Sequence, residues 1–374
     1  MLAIAALSAR ALVESAARDG IDCIALDVFG DADTRRAATR WLPIGQHPAA
    51  LRIDGERLLA ALRTLAQQGV SGWVAGSGFE GHPEWLEAGA RILPLWGTAG
   101  ADVRRVRDPL AFFDGLRTHA IAHPPVCFAP PRADGPWLHK NSGGCGGWHV
   151  RRGAQGRPGC GSYWQVERAG PALSATFVAN GSDAVVLGFN RQFARSIGER
   201  PYLFAGVIGP VPPSEAMQRA IGDAVRILAA RFRVRGLASL DFVLHGERCE
   251  VIELNPRPPA SLALYPIVGG HGALHAHLRA CQRGVLPPAP APADRLRGIE
   301  IVFARRALQL DAAGAATIAD WPGVHDLPAA GSAFGPGDPL CSLSTSGADA
   351  EQVQATLARR RDALLQSLET PVDA

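Results

Sequence analysis

Short apolar runs and amphipathic stretches alternate along the first part of the chain. Residues 2–7 and 23–26 are apolar runs with the length of a buried strand. Residues 9–19, between them, have the apolar spacing of a helix that stops at Gly20. The hydrophobic pattern therefore predicts a β–α–β unit at the start of the chain.

The same alternation continues with a helix over residues 58–67 and a strand over residues 72–76. Strands that alternate with helices predict an open parallel sheet, whose ligands lie beyond the carboxyl ends of the strands. The loops at residues 27–31 and 76–80 follow two of these strands, so substrate contact is one interpretation of them. Their Gly, Asp and Ser residues are equally typical of plain turns.

Beyond residue 104 the pattern changes, because short strands no longer alternate with helices. Strands are predicted around residues 126, 138, 163–166 and 173–178, which together indicate a small antiparallel lobe. The rest of the chain combines longer elements: a helix at 214–232, a hairpin at 238–254, a strand at 298–304 and a closing helix at 350–368. At 374 residues the chain is too long for one small core, so two or three domains or lobes are predicted.

Composition narrows the class of protein. The 374 residues are 47% hydrophobic and 20% charged with a net charge of +3, and no block of Lys and Arg stands out, which argues against nucleic-acid or membrane-surface binding. No apolar stretch has the length of a membrane span, and the apolar first residues lack the preceding positive charge of a signal peptide. The seven cysteines include no Cys-x-x-Cys pair, so we expect reduced thiols, Cys160 among them, and a cytoplasmic protein.

Lysine occurs only once in the chain, at position 140. Lys140 stands just before a glycine-rich segment that contains Gly143, Gly144, Gly146 and Gly147. A lysine is a compact point charge and an arginine is a planar fork, so the two are not interchangeable at a tight phosphate site. The position suggests polyphosphate binding, although chance placement of one lysine explains it equally well.

The predicted hairpin at 238–254 contains the strongest chemical signal. If the hairpin is symmetric about Glu247, Asp241 lies opposite Glu253, and Asn255 points to the same face two residues later. Carboxylates that face each other are destabilising unless a cation lies between them, and hard oxygen ligands suit Mg²⁺. An ordinary surface hairpin fits less well, because its flanking positions are apolar. Arg257 offers a fork for phosphate or carboxylate oxygens on the same side if Pro256 does not end the strand.

Together these residues resemble the ATP-grasp superfamily, such as the large lobe of biotin carboxylase. The hairpin of Asp241 and Glu253-x-Asn255-x-Arg257 resembles its metal-binding hairpin, and Lys140 with the glycines resembles its phosphate-binding lysine and flap. Across its length the chain resembles the group named predicted ATP-dependent carboligases. That wider resemblance is carried by Ser8-Ala-Arg10, Asp27-x-Phe-Gly-Asp31, Gly76-Ser-Gly-Phe-Glu80 and the segment from Glu253 to Pro258.

The resemblance implies an α/β ATP-grasp fold. Residues 1–104 are then a Rossmann-like pre-ATP-grasp domain, residues 105–185 the small lobe with its glycine flap, and residues 186–374 the large lobe with a carboxyl-terminal capping segment. ATP lies between the lobes, and Mg²⁺ or Mn²⁺ binds Asp241, Glu253 and Asn255. The hinge that contacts adenine is formed by Gln165, Val166, Glu167 and Arg168.

The implied activity is a ligase that joins a small carboxylate to an amine through an acylphosphate, with Lys140 and Arg257 at the reacting groups. Related members are associated with one-carbon carrier cofactors, which makes an amino acid such as glutamate a candidate carboxylate. A carboxylase that uses carboxyphosphate, a nucleotide-binding regulatory subunit without turnover and a structural protein without nucleotide remain alternatives. The partners are small molecules, and a homodimer is compatible with the sequence.

Two departures from the superfamily pattern concern this nucleotide site. A second lysine, which many members carry before the flap, is absent, and Arg105 or Arg107 is the candidate replacement. Many members also have a Glu directly after the hinge Gln, where this chain has Val166 followed by Glu167. The sequence therefore leaves open which residue contacts the α-phosphate and which holds the ribose.

Overall fold

The computed structural model describes residues 1–46, 50–132, 135–154, 156, 159, 161–291 and 293–369. The amino-terminal part consists of β1 (Leu2–Ala5), α1 (Arg10–Arg18), β2 (Cys23–Asp27), α2 (Ala32–Ala37), β3 (Arg40–Pro43), β4 (Gly45–Gln46), β5 (Ala50–Ile53), α3 (Gly55–Gln67), β6 (Trp73–Ala75), α4 (Pro83–Ile92), α5 (Gly100–Arg107) and α6 (Pro109–Thr118). Four of these strands form a parallel sheet in the order β3–β2–β1–β6.

Strands β1 and β2 are buried along their whole length, as expected for a parallel sheet that helices cover on both faces. Helix α3 begins three residues before its predicted start. Its amino terminus is capped by Asp54, whose side chain accepts hydrogen bonds from the backbone N–H groups of Glu56 and Arg57. The predicted open parallel sheet is confirmed, and its carboxyl edge presents the loops after β1, β2 and β6.

A small antiparallel sheet follows. It consists of β7 (Val126–Cys127), β8 (Trp137–Asn141), β9 (Arg151–Arg152) and β10 (Ser162–Val166), in the order β7–β10–β8–β9. The Trp164 side chain on β10 is fully buried and anchors this sheet. Strand β8 carries Lys140, and the glycine-rich segment connects β8 to β9.

The remaining elements are β11 (Ala172–Asn180), β12 (Ala184–Ile197), β13 (Arg200–Val211), α7 (Glu215–Arg231), β14 (Arg235–His245), β15 (Arg248–Asn255), a 3₁₀ turn (Ala260–Leu264), β16 (Ile267–Val268), β17 (His271–Gly272), α8 (Ala273–Arg283), β18 (Leu296–Phe303), β19 (Leu308–Gln309), α9 (Ala312–Asp320), β20 (Val324–His325), β21 (Ala333–Phe334), β22 (Pro339–Gly347) and α10 (Ala350–Glu369). Eight of the strands form one sheet in the order β15–β14–β11–β12–β13–β18–β22–β20.

One predicted strand belongs to a different sheet than expected. The strand foreseen at residues 173–178 was assigned to the small lobe, but β11 lies in the eight-stranded sheet, where it pairs with β12 and β14. The chain therefore changes from the small sheet to the large one between Val166 and Ala172. Its apolar residues could not reveal this, because a buried strand has the same pattern in either sheet.

Apolar contacts hold the parallel-sheet domain against the large sheet. One cluster joins Leu12 and Val13 of α1 to Leu237 of β14 and Leu274 of α8, all of them buried. This core fixes the parallel sheet against the large sheet and so defines the cleft between them. In the described part of the chain, no helix is long and apolar enough to cross a membrane. The six described cysteines are free thiols, and Cys160 lies outside the described residues.

Candidate active site

A large cleft of about 1210 Å³ lies where the three parts of the chain meet. Its walls include the loops at the carboxyl edge of the parallel sheet, the glycine-rich segment after β8, and the β14–β15 hairpin. Every residue predicted for the flap, the hinge, the metal and the reacting groups lines this cleft. The structure thus brings together residues that are more than a hundred positions apart in the sequence.

The β14–β15 hairpin places Asp241 directly opposite Glu253, as the sequence predicted. The route to this pairing differs from the prediction. The turn spans two residues, so that His245 faces Arg248, and a bulge at Ile252 then shifts the register by one residue to align the two carboxylates. The bulge also lets Ile252 and Glu253 both line the cleft. Symmetry about Glu247 gave the correct pair because the shorter turn and the bulge compensate for each other.

Asp241 lies within a small polar network at this end of the hairpin. Its carboxylate accepts hydrogen bonds from Gln192 Nε2 at 3.3 Å, Ser239 Oγ at 3.4 Å and Asn255 Nδ2 at 3.1 Å. Burial and the nearby Glu253 carboxylate raise the pKa of Asp241 above its usual value. The charged form of Asp241 is therefore held at a cost, which a cation in the cleft would remove. Gln192, on β12, gave no signal in the sequence.

Glu253 forms an ion pair with Arg107 at the end of α5, with 2.5 Å between Arg107 Nη1 and Glu253 Oε1. Burial alone would raise the pKa of Glu253, but Arg107, His149 and Lys140 more than offset it and hold that pKa low. Of the two arginines proposed to replace the second lysine, only Arg107 reaches this site. Arg105 instead contacts Asp102 and the carbonyl of Arg231.

Lys140 is buried on β8, where its Nζ donates a 2.6 Å hydrogen bond to Gln165 Oε1 on the neighbouring strand β10. Burial lowers the pKa of Lys140, and the carboxylates of Glu253 and Asp241 counteract this in part. The Gln165 side chain is fully buried, yet among the described residues no hydrogen bond reaches its Nε2. A buried amide without an acceptor is costly, so it marks a position for a ligand oxygen or nitrogen.

The glycine-rich segment, residues 142–149, is called the flap below, and it rests on three parts of the molecule. The Gly144 carbonyl accepts a 2.7 Å hydrogen bond from Arg107 Nη2, and the Gly146 carbonyl accepts a 3.0 Å bond from the Phe204 N–H on β13. Gly143 lies against Gly81, where a Cβ on Gly81 would come within 2.9 Å of the Gly143 carbonyl oxygen. The flap is therefore closed over the cleft, and its glycines permit backbone contacts that side chains would block.

The predicted adenine hinge is only partly available to a ligand. The N–H groups of Val166 and Glu167 already donate to the carbonyls of Pro125 and Pro136, at 2.9 and 2.6 Å. Within the described residues, the Arg168 N–H has no backbone acceptor, which makes it the hinge donor still free for a base. The Arg168 side chain is held by Glu250 at 2.7 Å.

The Glu167 carboxylate lies close to the hinge and has two partners. It accepts hydrogen bonds from Tyr202 Oη and from Arg152 Nη2, the latter at 2.9 Å. Glu167 and Tyr202 both line the cleft. The Glu167 carboxylate and the Tyr202 hydroxyl are therefore candidate groups for holding a ribose beside the hinge.

Arg257 follows the end of β15 and forms an ion pair with Glu80, with 2.8 Å between Arg257 Nε and Glu80 Oε1. Its Nη2 lies 3.3 Å from Asn255 Oδ1. The strand does end before Pro256, yet Arg257 remains beside Asn255 and faces the cleft. Glu80 thus connects the parallel-sheet domain to the hairpin. The sequence left open whether its loop contacts a substrate or is a plain turn, and it did not predict the pairing with Arg257.

Comparison with known proteins identifies the class. Residues 106–261 match the family model of the ATP-grasp domain. No curated protein matches the sequence. Among solved structures, the L-amino acid ligase of Bacillus licheniformis is 16% identical with a TM-score of 0.70 over 96% of both chains.

Two further structures are similar over nearly the whole chain. Campylobacter jejuni biotin carboxylase is 11% identical with a TM-score of 0.72, over 99% of this chain and 95% of that one. The N5-carboxyaminoimidazole ribonucleotide synthetase of Thermus thermophilus is 16% identical with a TM-score of 0.68, over 100% of both.

These likenesses define the architecture as the ATP-grasp fold with an amino-terminal Rossmann-like domain. The segment that matches the ATP-grasp family model, residues 106–261, contains the lysine, the flap and the carboxylate hairpin on which the predicted resemblance rested.

Proposed function

We propose that this protein is an ATP-dependent ligase that activates a small carboxylate and joins it to an amine. The observation that carries the proposal is one cleft that contains a buried lysine and a pair of opposed carboxylates, Asp241 and Glu253. A lysine suits phosphate oxygens, and two facing carboxylates suit a divalent cation between them and the phosphates. The same arrangement is expected of a site that transfers a phosphoryl group.

The residues present fit both ATP and Mg²⁺. The carboxylates of Asp241 and Glu253 and the side-chain amide oxygen of Asn255 offer hard oxygen ligands for the metal. The Gln165 Nε2, which has no partner among the described residues, belongs to the side chain that Lys140 contacts and is available to the nucleotide. Mg²⁺, or Mn²⁺ in its place, would neutralise charge on the phosphates when bound. One similar structure, the Campylobacter jejuni biotin carboxylase, is a β,γ-ATP complex, which supports a nucleotide in this cleft.

In this proposal, each step of the reaction is assigned to residues of this chain. Lys140 and the flap N–H groups bind and screen the phosphates while a substrate carboxylate oxygen attacks the γ-phosphorus and ADP leaves. Arg257, oriented by Glu80, holds the resulting acylphosphate. The amine nitrogen attacks the acyl carbon, phosphate departs with the C–O bond electrons, and the nitrogen loses a proton to give the amide. The closed flap excludes water, which would otherwise hydrolyse the acylphosphate.

A carboxylase that uses carboxyphosphate is the second candidate, because two of the similar structures are a carboxylase and a carboxyaminoimidazole synthetase. An ADP-release assay separates the two. Release that depends on an amine and a carboxylate supports the ligase, and release that depends on bicarbonate supports the carboxylase. ATP binding without any release supports a regulatory subunit instead.

The single lysine permits a test that needs no substrate. An acylphosphate derivative of ATP acylates a lysine that lies at its phosphates, and here only Lys140 is available besides the amino terminus. We expect acylation of Lys140, detected by mass spectrometry, which excess MgATP suppresses. In parallel, Lys140→Arg and Glu253→Gln should abolish turnover and leave the circular-dichroism spectrum unchanged. Wild-type turnover in Lys140→Arg, or labelling that MgATP does not suppress, would refute the phosphate site.

A further inference from the structure

The carboxyl edge of the parallel sheet forms one end of the cleft, away from the hinge. The sheet order β3–β2–β1–β6 reverses direction between β1 and β6, and ligands of open α/β sheets bind at such a switch point. The loops after β1 and β2 bring Ser8, Arg10 and Asp31 into the cleft wall, and Asp326 joins them from the carboxyl-terminal segment. These four residues are called the edge cluster below.

The edge cluster lies in a strongly acidic environment. The Arg10 guanidinium forms ion pairs with Asp326 at 2.8 Å and with Glu14 at 2.9 Å. The Asp33 carboxylate lies 3.8 Å from the same guanidinium. Asp27 is also buried at the end of β2. Three carboxylates thus lie within 4 Å of the one guanidinium, and Asp27 and Asp31 add two more at this edge of the sheet, so the local charge favours a further cation.

Four of these carboxylates already have partners. Asp27 accepts hydrogen bonds from the N–H groups of Ala9 and Gly30 and from Trp41 Nε1. Asp33 accepts from the N–H groups of Asp326 and Leu327, at 2.8 and 3.1 Å. Asp326 binds Ser8, Arg10 and Ser342, and Glu14 binds Arg10. Because these contacts satisfy the four carboxylates within the fold, we interpret the four as structural groups.

Asp31 is different from the other four. Asp31 is only 8% exposed and lines the cleft, and its side chain makes no capping hydrogen bond to α2. From the part of the chain that the structure describes, no hydrogen bond or ion pair reaches its carboxylate. Burial, together with Asp326, Asp27 and Asp33, raises the pKa of Asp31 to about 8. A buried carboxylate that faces a cleft without a partner is costly to the folded protein, and a bound cation offsets that cost.

We propose that Asp31 binds the ammonium group of the substrate that brings the amine, at the carboxyl edge of the parallel sheet. The proposal rests on the ligase function, and it narrows the substrate class to molecules with a free primary ammonium group. The charge argument selects a cation, and the cleft that Asp31 shares with Lys140 and Arg257 places it within one continuous site. Asp31 is thus a specificity residue for the second substrate.

The test measures binding without ATP, so that it does not depend on turnover. The probes are L-amino acids and short diamines, each paired with its counterpart acetylated at every amino group, which has no ammonium group, and the readout is calorimetric titration. Asp31→Asn is the test variant, and Asp338→Asn is the matched control. Asp338 lines the same cleft, but its carboxylate is held by the Gly335 N–H at 2.7 Å.

We expect at least one free-ammonium probe to bind the wild type and the Asp338→Asn protein, and its N-acetylated counterpart not to bind. Asp31→Asn should weaken that binding by ~10- to 100-fold, the effect of losing one charge-assisted hydrogen bond. Equal affinity in Asp31→Asn, equal binding of the acetylated probe, or no ammonium binding to the wild type would overturn the proposal.

The ligase function fails separately, by the absence of ADP release from wild-type protein in the substrate screen. If turnover is found, a second readout applies. Asp31→Asn should raise the KM for the amine and leave the KM for ATP unchanged, whereas a purely structural role for Asp31 would change both.

Discussion

Replacing Gly147 by alanine adds one methyl group to the flap and should weaken its closure over the cleft. Its φ is +77°, and a Cβ there would lie 1.7 Å from the Tyr202 carbonyl oxygen, which is backbone and cannot rotate away. Gly147→Ala therefore cannot keep the flap in its present position. We expect the substitution to open the flap while the rest of the fold persists.

The magnitude follows from the contacts that hold the flap. The Phe204–Gly146 hydrogen bond contributes ~0.5–1.5 kcal/mol and the charged Arg107–Gly144 bond ~1.5–3 kcal/mol. The stacking of Arg200 on Trp148, 4.1 Å from the ring centre, adds ~0.5–1 kcal/mol. We expect Gly147→Ala to lose at least the neighbouring Phe204–Gly146 hydrogen bond. An alanine in a left-handed conformation costs a further ~1–2 kcal/mol, so the ratio of open to closed flap should rise by about tenfold or more.

Limited trypsin digestion measures this opening, because Arg151 and Arg152 lie just beyond the flap, after Val150. Gly198→Ala is the matched control: Gly198 has a φ of +57°, and a Cβ there meets no atom within 4 Å. Cleavage after Arg151 or Arg152 should be about tenfold faster in Gly147→Ala than in Gly198→Ala, and MgATP affinity should fall in the same variant. Equal cleavage rates in the two variants would refute the closed flap.

Two further predictions concern charged and titrating groups outside the flap. Arg107→Met leaves Glu253 without its partner and should destabilise the protein in urea unfolding, by less than the ~3–5 kcal/mol of a fully buried pair because the Glu253 side chain is 31% exposed. Arg107→Lys should recover part of that loss, and unchanged stability of Arg107→Met would contradict the assignment. Burial lowers the pKa of His277 to about 4, so that its neutral ring accepts from the Leu237 N–H and contacts the Trp96 carbonyl. Because the unfolded state binds this proton more readily, stability should fall as pH drops from about 6.5 towards 4, by up to ~1.4 kcal/mol per pH unit. His277→Asn should show a shallower slope, and parallel slopes would disprove the assignment.

The sequence predicted those parts of the site that lie within one local element. Asp241, Glu253 and Asn255 belong to one hairpin, so strand alternation and a short turn were enough to place them together. Lys140 and Gln165 lie on paired strands, 25 positions apart. The same reasoning could not detect the bulge at Ile252, because nothing in an apolar residue distinguishes a regular strand position from a bulged one.

What the sequence left open depends on contacts between distant segments. Arg105 and Arg107 are the same type of residue two positions apart, so the sequence alone could not choose between them. The orientation of the last turn of α5 places Arg107, and not Arg105, in contact with Glu253. Glu80 and Arg257 are separated by 177 positions, and the packing of two different domains brings them to 2.8 Å. Such pairs follow from packing of the apolar core between α1, β14 and α8, which local patterns do not encode.

Arg107 is the one of the two candidate arginines that lies in the same site as the single lysine. Its guanidinium donates hydrogen bonds to Glu253 on the hairpin and to the Gly144 carbonyl on the flap. One side chain therefore contacts both a proposed metal ligand and the flap. A lysine at this position could not form both bonds in the same geometry, because its ammonium group is a single point and the guanidinium is a planar fork. Through these two bonds, the Arg107 guanidinium ties the position of the flap to that of Glu253, so a substitution at Arg107 is expected to affect both.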